Sequence, residues 1–195
     1  GYFFSIMEAA DDESEKKEFE PGLYSPRSLA TVLKKQQRLS VEQCVELGLS
    51  LGSALMFLEQ HRLIHRDIKP ANIIFVSGVP KLADIGLVTE VRGQGLATTY
   101  LGTAGYIPPE GPGTLAADIY SLGKVLYETV TGVDRFHFPD LPTSLQTHPE
   151  ASWLRLNEII GHACEPDPDR RYHSAAELHA DLLELRRTLK ADRPS

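Results

Sequence analysis

The sequence predicts a mainly α fold in which helices carry one irregular, functional segment. Three observations lead there. Apolar helical stretches are opened by capping signals at Ser40 and Ser174 and closed by Gly132; residues 62–113 form a single long region without helical periodicity; and the composition is that of an ordinary globular domain. With 195 residues, 42% hydrophobic and 24% charged, the chain is long enough to bury a real core in about one domain, which excludes disordered and collagen-like classes. No apolar run approaches ~20 residues, so no transmembrane segment is expected, and the first residues do not read as a secretion signal. Cys44 and Cys164 lie 120 positions apart and read as two buried thiols in a reducing cytoplasm.

The elements follow in order. Tyr2 to Met7 is short, aromatic and β-branched, and reads as a strand. Residues 8–20 hold seven acids and two bases, −5 of the chain's net −7, and read as a solvated loop. The rest of the chain is nearly balanced, and without a basic stripe nucleic acid is not an expected partner. Ser25-Pro26 is expected to open a short helix to about Lys35, with Ser25 as N-cap and Pro26 in the first turn. Ser40 to Gln43 reads as a capping box opening a helix to about His61. Its apolar residues fall on every face, which predicts full burial, and Gly48 and Gly52 predict close helix contacts.

Within residues 62–113, Leu63-Ile64, Ile73 to Val76 and Lys81-Leu82 read as short β pieces between Gly and Pro breaks. Leu115 to Thr131 is helical, and Asp118 stands inside that apolar helix, where an unpaired carboxylate would be costly. A proline-rich connector precedes a helix near Trp153 to Cys164. The last helix opens with a capping box at Ser174 to Glu177, runs to about Lys190, and buries Leu178, Leu182, Leu185 and Leu189 along one face.

The irregular segment reads His65-Arg66-Asp67-Ile68-Lys69-Pro70-Ala71-Asn72, then Asp84-Ile85-Gly86, then Gly102 to Glu110. In that order it resembles the catalytic loop (65–72) and the activation segment (84–110) of eukaryotic-like, bacterial-type Ser/Thr protein kinases. Asp118 to Gly123 and Asp167 to Arg171 match two later signatures of that family. The resemblance implies a kinase C-terminal lobe: a helical bundle with a loop segment and short β pieces, residues 1–13 being the last N-lobe strand and hinge and 14–195 the C-lobe. The implied activity is transfer of the ATP γ-phosphate to a Ser or Thr hydroxyl of a protein, with magnesium.

The resemblance assigns roles residue by residue. Asp67 would accept or orient the substrate hydroxyl proton, and Lys69 would reach the transferring phosphate. Asn72 and Asp84 offer amide and carboxylate oxygens suited to Mg2+. Thr103 would bond Asp67 and Lys69 and shape the pocket for the residue after the acceptor. Asp118 would accept backbone N–H bonds near His65 and Arg66, Glu110 would pair with Arg171, and His65 reads as a packed core histidine. Thr98 and Thr99 stand where such kinases are phosphorylated, with Arg66 to receive the phosphate; plain loop threonines are the alternative. Ile85 replaces the usual Phe of the metal motif and still fills an apolar slot. Met7 falls at the gatekeeper position, Glu8 to Ala10 at the hinge that bonds adenine, and Ile74 beneath the base.

No Gly-x-Gly-x-x-Gly occurs in the sequence, so half of the phosphate clamp is missing and the chain is expected to be inactive alone. A half-kinase or pseudokinase interaction module is the alternative, and a small-molecule kinase of related fold a second. The apolar residues that would face an upper lobe, Phe3, Phe4 and Ile85, predict self-association or a rearranged first strand. Light scattering of the chain checks this, and a monodisperse monomer with that strand ordered as in a complete kinase overturns it.

Overall fold

The computed structural model describes residues 8–13, 22–84, 89–90, 102–143, 145 and 150–191. The expected first strand, Tyr2 to Met7, lies outside them, as do Ile85, Thr98 and Thr99. The described chain is mostly helical. In order come α1 (Leu29–Gln36), α2 (Val41–Gln60), β1 (Leu63–Ile64), β2 (Ile73–Val76), β3 (Val79–Leu82), β4 (Thr89–Glu90), α3 (Leu115–Thr131), α4 (Ala151–Ala163) and α5 (Ala175–Ala191). The strands form two small antiparallel pairs, β1 with β4 and β2 with β3.

Helix ends follow side-chain chemistry. Ser40 caps α2 reciprocally: its hydroxyl accepts from Gln43 N at 3.2 Å, and Gln43 Oε1 accepts from Ser40 N at 3.0 Å. Thr114 caps α3, and Gly132 ends it in the left-handed conformation. At α5, Ser174 Oγ accepts from Glu177 N at 3.2 Å, but Glu177 reaches back to His173 N at 2.9 Å rather than to Ser174.

The start of α1 differs from expectation. Ser28, not Ser25, is the N-cap, in a reciprocal box with Thr31. Pro26 lies outside the helix, bridged to Asp12, while Arg27 N donates to Asp11 O at 2.8 Å and Phe75 N to Arg27 O at 3.0 Å. This extended pairing claims residues 26–27 and delays the helix to the next available cap.

The acidic stretch is also more than a solvated loop. Asp11 Oδ1 and Oδ2 accept from Ser77 N at 2.7 Å and Gly78 N at 2.8 Å, capping the β2–β3 turn. Glu13 pairs with Lys35 at 2.9 Å, and Glu8 forms an ion pair with Lys81.

α2 is the central strut, with the length and mean hydropathy of a membrane-crossing helix by composition alone. In this fold Cys44, Val45, Leu47 and Leu51 are buried in the core it shares with α3 and α5. Its burial is not all-round, since Phe57 is 59% exposed and stacks on His61 at 4.2 Å. Both thiols are free and buried, and burial pushes the Cys164 thiol up to about 12.

Two glycines set helix spacing. A Cβ on Gly48 would lie 2.9 Å from Leu182 Cδ1, the end of a flexible side chain. One on Gly123 would lie 2.7 Å from Cys164 Sγ and 2.9 Å from Ala163 Cβ, the second fixed by the backbone of α4. Gly123→Ala is therefore expected to cost about 1–2 kcal/mol, overpacking outweighing a helix-propensity gain of up to ~1 kcal/mol. Gly48→Ala should lie within about 1 kcal/mol of wild type. Urea unfolding of both variants checks this, and equal midpoints overturn the assignment of Gly123 as the tight contact.

Candidate active site

The site is assembled on the loop between β1 and β2. Arg66 takes a positive φ of 72° there, a strained conformation for a residue with a Cβ. What holds it is Asp118 on α3, whose Oδ2 accepts from His65 N at 2.7 Å and Oδ1 from Arg66 N at 2.9 Å. Burial pushes the Asp118 carboxyl up to about 6, against the lowering effect of those two bonds.

With the loop fixed, Asp67 becomes the centre of a polar cluster. Thr103 donates to its Oδ1 at 2.8 Å, while Lys69 Nζ at 2.7 Å and Asn72 Nδ2 at 2.9 Å meet its Oδ2. Lys69 also donates to Thr103 Oγ1 at 2.8 Å, and Asn72 Nδ2 to Asp67 O at 2.8 Å. Burial opposes ionisation of Asp67, but the hydrogen bonds from Lys69 and Thr103, the Lys69 charge and the Asn72 bond prevail and hold the carboxyl below its usual range.

Asn72 spends its amide nitrogen on Asp67, which leaves the amide oxygen as its outward acceptor. Ala83 N donates to Asn72 O at 2.8 Å, which brings Asp84, exposed and at φ 61°, beside Asn72. A neutral amide oxygen and a carboxylate are the donor chemistry of a hard divalent cation such as Mg2+.

His65 packs under this assembly, 1% exposed. Its Nε2 lies 3.1 Å from Ala83 O, which can only accept, so Nε2 carries the proton and the buried Nδ1 has no partner among the described residues. Burial lowers the ring's pKa, outweighing the Ala83 bond and the Asp67 and Asp84 charges.

The far end of the segment is fastened separately. Arg171, fully buried, donates from Nη1 to Glu110 Oε1 at 2.7 Å and Ala116 O at 2.8 Å, and from Nε and Nη2 to Glu165 O at 3.0 and 2.8 Å. Ser121 Oγ donates to Tyr106 O at 2.8 Å. Gly102, at φ 146°, lets the chain pass over the loop, since a Cβ there would stand 3.0 Å from Arg66 O.

Of the residues expected at an adenine site, Ala10 has its carbonyl accepting from Tyr24 Oη at 3.0 Å. Glu8 is exposed on its ion pair with Lys81, and Ile74 is half-buried on β2 opposite the core residue Ile73. Met7 lies outside the described residues.

Sequence reasoning missed one group at the site. Arg135 and Phe136 pack on Ala104 and Gly105, and Lys124, a second charge inside apolar α3, donates to Arg135 O at 2.6 Å. Lys124 carried the same signal as Asp118, a charge on a buried helical face.

Comparison with known proteins agrees with this geometry. Residues 18–190 match the family described as Protein kinase domain. The chain belongs to the protein kinase family. Among curated proteins it is 32% identical over 179 residues to a protein of Clostridium perfringens named as a probable serine/threonine-protein kinase, covering 83% of this chain and 26% of that protein. It is 31% identical over 178 residues to serine/threonine-protein kinase PknB of Mycobacterium tuberculosis, covering 81% and 28%. It is also 31% identical over 169 residues to serine/threonine-protein kinase PknA of Corynebacterium glutamicum, covering 77% and 35%. The chain thus spans about a quarter to a third of the length of these relatives.

The neutral, buried His65 gives a pH dependence. Unfolded, the ring titrates near 6.5; folded, it resists protonation to lower pH. Below 6.5 the unfolded chain therefore binds more protons, and stability falls as pH drops toward the folded value. His65→Gln should flatten stability against pH there by up to ~1.4 kcal/mol per pH unit. Equal slopes for variant and wild type in urea titrations overturn the assignment.

Proposed function

We propose that this chain is the lower lobe of a Ser/Thr protein kinase, with residues 1–13 as the last strand and hinge of the smaller lobe and 14–195 as the C-lobe. The observation that carries the reading is the state of Asp67. A carboxylate has about four acceptor positions. Among the described residues Asp67 uses three, one on Oδ1 and two on Oδ2, which leaves one position on Oδ1 for an incoming hydroxyl. Held below the usual carboxylate range, Asp67 is ionised and able to accept.

In this mechanism the Ser or Thr hydroxyl hydrogen-bonds to Asp67 Oδ1, its oxygen bonds to the γ-phosphorus of ATP, the bond from phosphorus to the ADP oxygen breaks, and the proton passes to Asp67. Lys69, already 2.7 Å from Asp67, is placed to neutralise charge on the moving phosphoryl group. Asn72 and Asp84 are the residues that would hold Mg2+, which supplies charge neutralisation on the phosphates when bound. Thr103 fixes the Asp67 and Lys69 rotamers. The Ala10 N–H, with Glu8, Met7 and Ile74, forms the adenine site. Arg66 Nε is buried and has no hydrogen-bond partner among the described residues, an unmet donor that favours a phosphate on Thr98 or Thr99 as its ligand. Two buried free thiols fit a reducing, cytoplasmic setting.

In the full-length protein, Asp67→Asn is expected to reduce transfer of labelled γ-phosphate from Mg·ATP to an acceptor protein by about 10²–10⁴-fold. The 195-residue chain alone should show none, since no Gly-x-Gly-x-x-Gly occurs in it. Undiminished transfer by the Asn variant overturns the role of Asp67, and transfer by the isolated chain overturns the two-lobe requirement.

A further inference from the structure

We propose that Arg135 sets substrate choice by filling, from within the chain, the acidic corner beside the acceptor site, so that peptides with a basic residue next to the acceptor are rejected. The inference rests on the kinase reading above and adds a specificity residue to it.

The route of the peptide follows from geometry. A hydroxyl presented to Asp67 must pass Thr103, which is bonded to both Asp67 and Lys69. The next carbonyl, Ala104 O, accepts from Arg135 Nε at 3.1 Å. At Gly105 a Cβ would stand 2.9 Å from Arg135 Cγ, Arg135 Nε and Phe136 Cε1. Arg135 and Phe136 therefore pack against the segment that flanks the acceptor, and Phe136 is 63% exposed.

Among the described residues the charges around Arg135 are two acids and one other base. Glu128 Oε1 lies 3.9 Å and Asp134 Oδ2 3.5 Å from Arg135 Nη1. Each acid spends its other oxygen elsewhere: Glu128 Oε2 accepts from the Tyr106 hydroxyl, and Asp134 Oδ1 accepts from Phe136 N at 2.9 Å. The other base, Lys124, is buried with its Nζ on Arg135 O and 4.5 Å from the Phe138 ring. With Arg135 present the four charges cancel; without it the corner carries −1.

The guanidinium is held in place by its surroundings. Its Cζ lies 4.8 Å from the Tyr106 ring and 4.7 Å from the Phe136 ring. Lys124 and the Asp134 cap fix the short turn that presents it. A substrate Lys or Arg entering this corner meets a like charge already seated between the two carboxylates it would need. Rejection by an occupied site and a repelling charge is specificity by exclusion.

The test uses the full-length kinase and peptides in which each position flanking the acceptor is in turn lysine or alanine. Wild type should show a lower kcat/KM for lysine at one flanking position. Arg135→Gln is shorter than arginine but carries an amide donor at the level of the Arg135 Nε that bonds Ala104 O, while removing the charge. It should raise the lysine-to-alanine ratio at that position by about tenfold, the size of one charged hydrogen bond. Adding Glu128→Gln should remove that gain. A ratio unchanged at every position, or a gain that survives Glu128→Gln, overturns the inference while leaving the kinase reading intact. No phosphorylation of any peptide by wild type overturns the kinase reading, and this inference with it.

Discussion

One buried carboxylate governs the geometry of the site. Asp118 sits on α3, whose ends are fixed by Thr114 and Gly132, and receives the N–H groups of His65 and Arg66. These two bonds compensate a charge that burial alone would disfavour, and they hold Arg66 in a backbone conformation that an L residue avoids. The direction of the next residue, Asp67, follows from that turn. The Lys69, Thr103 and Asn72 contacts then close around a carboxylate already aimed, so the helix sets the position of Asp67 on the loop.

The other end of the segment uses the same physics with the opposite charge. Arg171 is wholly buried yet binds one carboxylate and three backbone carbonyls from three parts of the chain, and its Cζ lies 5.1 Å from the Tyr120 ring. Breaking such a pair from one side costs more than the pair contributes, because the remaining charge is stranded. Asp118 and Arg171 fasten the two ends of the irregular segment to the helical base.

Much of this was legible in the sequence. Leu115 to Thr131 was readable because its apolar run and its glycine stop are local signals, and Asp118 stood out as a charge in an apolar helix. Asp67, Lys69 and Asn72 stood close together in the sequence as an ordered pattern, and the structure brings them together with Thr103. What escaped was non-local. Ser25 looks as good a cap as Ser28 until the Asp11, Arg27 and Phe75 backbones pair across the fold. The acids of residues 8–13 look solvated until Asp11 meets Ser77 and Gly78, 66 and 67 positions away. Arg135 has no local signature, because its meaning comes from Glu128, one face of α3 and a backbone carbonyl at Ala104.

The Asp11 clamp has a mechanical consequence. Its carboxylate grips the β2–β3 turn, its N–H donates to Phe75 O at 2.7 Å, and Glu8 holds Lys81 on the same hairpin. The hairpin begins at the residue after Asn72, and Ala83, just past its end, bonds Asn72 O. A pull arriving along residues 8–11 is therefore passed through this two-stranded hairpin to Asn72 and to Ala83, the residue before Asp84.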